Sequence, residues 1–163
     1  SQNLFAECLL KTLAAYGLDG QPSGHVGSWE RGGFVARKTL ADAGLAMGDA
    51  VLSDGSGLSH ANRVTAAQIV RLLQVMNKAS EAQAFRASLA QPGQPGTLQR
   101  GYAHAALLNG RMQAKTGSIA GVRTLAGYVR RPDGREAAFA LMVNGSGGGD
   151  LRAKVAKLIA ETP

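Results

Sequence analysis

Residues 111 to 144 read RMQAKTGSIAGVRTLAGYVRRPDGREAAFALMVN, and this stretch decides the fold. Apolar and polar side chains alternate through 111–117, 124–131 and 135–144, the two-residue period of a β-strand. RPDG at 131–134 supplies the Pro, Asp and Gly that a tight hairpin connection requires. In AAFALMV, residues 137–143, both faces are apolar: Ala137, Phe139, Leu141 and Val143 against Ala138, Ala140 and Met142. A strand apolar on both faces is covered on both faces. The stretch therefore predicts an antiparallel sheet covered on both faces, in an α/β chain of the α+β type.

Helical periods flank it. Residues 3–16 are apolar around most of a helix circumference, and Gly17 supplies the stop, so a deeply buried helix is expected. SWERGGFVARKTLADA at 28–43 predicts a second helix capped by Ser28. Thr65 and Gln68 form a capping box for a third, whose apolar stripe is Ile69, Leu72, Leu73 and Met76. Ser80 and Gln83 repeat that device for a short fourth. QPGQPG at 91–96 breaks the helical pattern. NGSGGGD leads to a last helix over 150–162, with Leu151, Val155, Leu158 and Ile159 spaced as one buried stripe. With neither an internal repeat nor a linker, residues 1–163 read as one domain.

Composition excludes several classes. Hydrophobic residues make up 45% and charged residues 18%, a globular balance. No apolar run approaches the roughly 20 residues that a spanning helix needs, so no transmembrane segment is expected. The net charge of +7 invites acidic partners, yet no basic cluster exceeds a pair such as Arg130-Arg131 and no aromatics interleave with it. Nucleic acid is therefore disfavoured, and a solvated basic surface or an anionic cell-wall polymer is the better reading. Cys8, the single cysteine, lies in an apolar helical run and is expected as a buried structural thiol. His25, His60 and His104 lack ligand spacing, so neither metal nor cofactor is expected. The chain opens on Ser1 without a signal peptide, which suggests a processed or truncated product and leaves localisation unread.

The chemistry turns on QAKTGS, residues 113–118, where Lys115 is the one charge in the run. A phosphate loop needs Gly where this chain has Asn109 and Ala114, and a strand follows instead of a helix, so that reading fails. K-T-G on its own is equally an ordinary strand end. SQN at residues 1–3 is on its own equally a helix cap, and DGSGLS at 54–59 a Gly-rich turn. Glu7 and Lys11, at i and i+4, read as an exposed helix pair.

Serine acyl transferases combine an S-x-N element and a K-T-G strand with an S-x-x-K nucleophile helix. SQNLFAECLLKTL, then DGSGLSHANRVT at 54–65, then MQAKTGSIAGVRTLAGYV at 112–129 occur here in that order. Over nearly the whole chain this resembles class C penicillin-binding proteins, the D-alanyl-D-alanine carboxypeptidase/endopeptidase family. No Ser is followed by Lys three residues later. The resemblance thus implies that residues 1–163 are the C-terminal portion of a penicillin-binding, transpeptidase-like domain. The nucleophile-bearing part would lie upstream in the same protein, and the implied fold, an antiparallel sheet with helices on both faces as in serine β-lactamases and penicillin-binding proteins, would be incomplete in this chain.

The resemblance also implies roles. Ser1 would relay a proton to the departing amine, and Asn3 would hold the stem peptide and the absent lysine. Lys115 would attract the terminal carboxylate, Thr116 would hydrogen-bond it, and Gly117 would leave the strand bare for substrate. The Ser118 N–H would be one oxyanion donor. His60 stands where the family commonly has Arg, so it would read acidic groups only when protonated. Implied partners are peptidoglycan stem peptides ending in D-Ala-D-Ala, β-lactams and the upstream part of the protein, in the periplasm. The alternatives are a non-catalytic or cell-wall-binding module and a serine β-lactamase relative.

Overall fold

The computed structural model describes residues 2–99, 105–145 and 148–162. The chain forms two compact units, Ser1–Gln68 and Ile69–Pro163.

In the first unit α1 (Asn3–Tyr16) packs against α2 (Trp29–Asp42). Ser28 caps α2 as expected, its hydroxyl accepting from the Arg31 N–H at 3.2 Å. The helices approach closely at Gly32, where a Cβ would fall 2.2 Å from the Leu10 carbonyl oxygen. Only Leu10 and Ala14 of α1 are buried. Leu4, Phe5 and Leu9 are 75%, 66% and 66% exposed, which corrects the expectation of a deeply buried helix. The reason is local: α2 covers one stripe, and the rest of the apolar circumference faces outward. Cys8 shares that outward side and is exposed, not a buried thiol.

The Thr65 capping box forms as read. The Thr65 N–H donates to Gln68 Oε1 at 2.8 Å and the Gln68 N–H to Thr65 Oγ1 at 3.1 Å, opening α3 (Ala66–Met76). The second proposed box does not form. Helix α4 (Ala82–Ala87) starts after Glu81 with no side-chain cap.

In the second unit β1 (Met112–Ile119), β2 (Val122–Arg130) and β3 (Glu136–Asn144) form an antiparallel sheet in that order. The RPDG hairpin lies where expected, and Gly134 takes the positive φ of 81°. The first connection is tighter than expected. Gly121, at φ 67°, turns the chain so sharply that β1 runs on to Ile119 and β2 starts at Val122.

Register partners share a face, so Met112, Ala114, Leu125, Val129 and Phe139 line one side. With Leu98 and with Leu108, the last residue of the one-turn α5 (Ala105–Leu108), they form the buried core against α6 (Gly148–Glu161). The buried stripe of α6 is Ala153, Ala156 and Ala160, whereas Leu158 is 64% exposed and Leu151 is also outside. This corrects the expected stripe at Leu151 and Leu158, whereas Val155 is half-buried and Ile159 packs against the core as read. Alanines let the helix backbone approach the sheet, and the volume is filled by Phe139, Met112 and Leu125 instead. On the other face the buried Tyr128 donates its hydroxyl to the Leu73 carbonyl of α3 at 2.6 Å. Arg86 of α4 stacks on the same ring at 4.0 Å and pairs with Glu136. The sheet thus has helical residues on both sides.

Candidate active site

Strand β1 is an edge strand, and the phase of its backbone decides what it offers. Beyond β2, its described partner is Ala90, which exchanges both backbone bonds with Ala114 at 3.1 and 2.9 Å. Ala114 therefore turns its N–H and C=O away from β2. The two-residue period turns those of Thr116 and Ser118 the same way. Past Ala114 this edge carries no further strand pairing among the described residues.

Lys115 bends along that edge, its Nζ donating to the Thr116 carbonyl at 2.5 Å. Lys115 is exposed as a residue, yet partial burial of its ammonium holds the pKa below the usual lysine value. Lys115 stands opposite Ala126 and Gly117 opposite Thr124 on one face. Thr116 stands opposite Leu125 and Ser118 opposite Arg123 on the face turned to α6. Ser118 is exposed, and Thr116 and Gly117 are half-buried. From α6, Arg152 Nη1 lies 3.4 Å from the Gly117 carbonyl and 3.5 Å from that of Thr124, long contacts from a guanidinium whose buried Nε finds no partner among the described residues.

The other sequence-derived site residues belong to the first unit. Ser1 lies outside the described residues. Asn3 is the exposed first residue of α1, and Gln2, at the cap, makes no side-chain bond. One turn on, Glu7 reaches the 54–59 loop. Its Oε2 accepts from the Gly55 N–H at 3.0 Å and from Trp29 Nε1 at 2.8 Å, and its Oε1 accepts from the Ser56 N–H at 3.1 Å. The Ser56 hydroxyl, then the Gly55 N–H, lead the bonds that lower the Glu7 pKa to about 2. Lys11 instead lies 3.7 Å above the Trp29 ring. Glu7 and Lys11 are not the exposed pair that their spacing suggested; each finds a better partner across the fold.

The loop closes on itself. The Asp54 carboxylate accepts from the Gly57 N–H at 2.8 Å, the Ser59 N–H at 2.6 Å and Asn62 Nδ2 at 2.8 Å. DGSGLS is thus a built turn as well as a landmark, with Leu58 and His60 exposed on it. The structure places Lys115, Thr116, Gly117 and Ser118 together on β1, and Asn3 and His60 on the other unit. Sequence reasoning passed over Glu7 and Arg152. Glu7 sits one turn after Asn3 in SQNLFAE, but its loop partners are 48 and 49 residues away, so spacing could not reveal them. Arg152 is likewise 35 residues from Gly117.

Comparison with known proteins gives a consistent result. The model of the D-Ala-D-Ala carboxypeptidase 3 (S13) family matches residues 1–161. A D-alanyl-D-alanine carboxypeptidase of Actinomadura sp. (strain R39) is 38% identical over 156 residues, covering 91% of this chain and 27% of that protein. The D-alanyl-D-alanine carboxypeptidase DacB of Haemophilus influenzae is 30% identical over 155 residues, covering 94% of this chain and 31% of that protein. The crystal structure of penicillin binding protein 4 from Haemophilus influenzae, in complex with a β-lactam, superposes with a TM-score of 0.85 at 24% identity, over 99% of this chain and 39% of that one. The chain spans less than a third of the length of these two carboxypeptidases.

Proposed function

Since this chain belongs to the D-Ala-D-Ala carboxypeptidase 3 (S13) family, we propose that it supplies the S-x-N and K-T-G elements of a serine D-alanyl-D-alanine carboxypeptidase/endopeptidase. The observation that carries the reading is the open edge of β1 beside Lys115. An extended peptide can add to such an edge through main-chain bonds, and a cation beside it suits a chain that ends in a carboxylate.

The residues take these parts. A stem peptide lies along β1, its terminal carboxylate drawn by Lys115 and the Thr116 hydroxyl. A serine from the S-x-x-K segment, which we place upstream in the same protein, attacks the carbonyl of the D-Ala-D-Ala bond. The Ser118 N–H receives the oxyanion as the tetrahedral intermediate forms. Ser1 passes the serine's proton to the departing D-alanine nitrogen, and Asn3 holds the peptide backbone and the lysine of S-x-x-K. Water then hydrolyses the ester. β-Lactams enter the same route and remain as the acyl group. His60, exposed on the loop, stands where the family commonly has Arg and in this reading selects acidic stem-peptide groups when protonated. The enzyme works on peptidoglycan, which puts it in the periplasm; no described helix is long and apolar enough to cross a membrane.

A labelled penicillin tests this. The 163-residue chain alone, which contains no S-x-x-K, gives no adduct, and the chain joined to its upstream segment gives a stoichiometric, hydroxylamine-sensitive one. A covalent adduct on the chain alone sinks the assignment of the nucleophile. Absence of an adduct from the joined protein sinks the enzyme and favours a wall-binding module.

A further inference from the structure

The helix that begins at Asn3 and the loop that carries His60 are joined at a single place by two independent features. The first is the Glu7 carboxylate, whose oxygens accept from the Gly55 and Ser56 N–H groups and from the Trp29 indole. The second is Gly55, where a Cβ would fall 2.2 Å from the Ala6 carbonyl oxygen and 3.1 Å from Leu10 Cβ, so loop backbone lies directly on helix backbone. Neither feature is accounted for by the assigned chemistry.

Nothing else described anchors the start of α1 by a polar bond from its own side chains. Its cap is unfilled, and Asn3, Leu4 and Phe5 are all exposed. A helix start without a cap frays, because its first N–H groups have no intrahelical acceptor. Asn3 and Glu7 are four residues apart and therefore lie on one face of the helix. Whatever sets the rotation of α1 at Glu7 sets where Asn3 points. Trp29 adds stiffness, since its N–H is bound by Glu7 while Lys11 covers its ring.

We propose that Glu7 is a positioning residue of the acyl-transfer site, which, with the bare Gly55 beneath it, sets the direction of Asn3 relative to the 54–62 loop. The inference rests on the assignment of Asn3 above. Misplacing a reacting group by about 1 Å can cost roughly 100-fold, so a joint that registers Asn3 is worth a measurable rate even though it touches no substrate.

The experiment uses the full-length protein with Glu7→Gln, Gly55→Ala, Asn3→Ala and the double variants of Asn3→Ala with each. The rate constant for acylation by a fluorescent penicillin is measured beside kcat and KM for a D-Ala-D-Ala peptide. Gln keeps the size of Glu but turns an amide NH2 toward N–H donors. We expect Glu7→Gln and Gly55→Ala each to slow acylation by about tenfold, with KM altered less than about threefold. In the Asn3→Ala background the same changes should cost less than about twofold, because residues that act through one another are not additive. Glu7→Asp, which retains the charge but withdraws it by a methylene, should give the same split if Glu7→Gln fails to fold. A full tenfold loss in both backgrounds overturns the proposal and makes the joint merely structural, as does no loss in either. If Asn3→Ala alone leaves acylation unchanged, the assignment of Asn3 falls and the proposal with it. If Asn3→Ala slows acylation and Glu7→Gln does not, only the proposal falls.

Discussion

The hydroxyl of Thr124 occupies the place where a side chain at Gly117 would begin: a Cβ built on Gly117 falls 2.2 Å from Thr124 Oγ1. The two are register partners on β1 and β2. The bare Cα of K-T-G thus has a reason inside the sheet, besides any clearance it offers a ligand.

Gly117→Ala should overpack this pair at a cost of about 1–3 kcal/mol. Thr124→Ala removes the obstructing hydroxyl, so the double variant should recover most of the loss. Denaturant unfolding of the single and double variants checks it. A double variant as unstable as Gly117→Ala alone would put the strain elsewhere.

Lys115→Ala in the full-length protein should slow acylation by roughly a hundredfold, about 2.7 kcal/mol of barrier. The pH dependence follows from desolvation, which lowers the pKa of this ammonium from the ordinary 10.5. The folded state releases the proton before the unfolded chain does, so stability rises as pH climbs through the window below 10.5. Acylation that depends on the charged amine should fall over that same window. The alkaline limb of the acylation profile, compared between wild type and Lys115→Arg, measures this; the arginine variant should move the limb upward.

Tyr128→Phe should destabilise the second unit by about 0.5–1.5 kcal/mol, the net worth of one hydrogen bond, because the Leu73 carbonyl still accepts the Asn77 N–H at 2.9 Å. The phenol donates to the Leu73 carbonyl across the covered side of the sheet. Hydrogen exchange should quicken at the C-terminal end of α3 in this variant, and unchanged protection there would show that water replaces the phenol.

The exposed stripe of Leu4, Phe5 and Leu9 should make the 163-residue chain bind a hydrophobic dye or self-associate, as monomers rarely leave such apolar patches uncovered. Replacing the three with Ser, Tyr and Gln should lower the dye signal and the scattering mass without changing far-UV circular dichroism. A dye-negative monomeric wild type would contradict this.

What the sequence determined by itself was set by neighbours close along the chain. The three alternating strands, the RPDG turn, the Ser28 cap and the Thr65 box depend on local φ preferences and side-chain reach, and all were legible. The family was legible too, because S-x-N, D-G-S-G-L-S and K-T-G stand in one order over nearly the whole chain. Tertiary structure decided what depends on distant partners. Both Leu151 and Ala153 belong to apolar rows of α6, and only the depth of the sheet beneath selects the alanines for burial. The spacing of Glu7 and Lys11 suggested an ion pair, yet each charge goes to the partner whose donors or ring face meet it best across the fold. For Glu7 that partner is a loop 48 residues on, and for Lys11 it is an aromatic ring. The open edge of β1 was likewise invisible in QAKTGS, because a strand's free side is a property of the sheet it joins and not of its own residues.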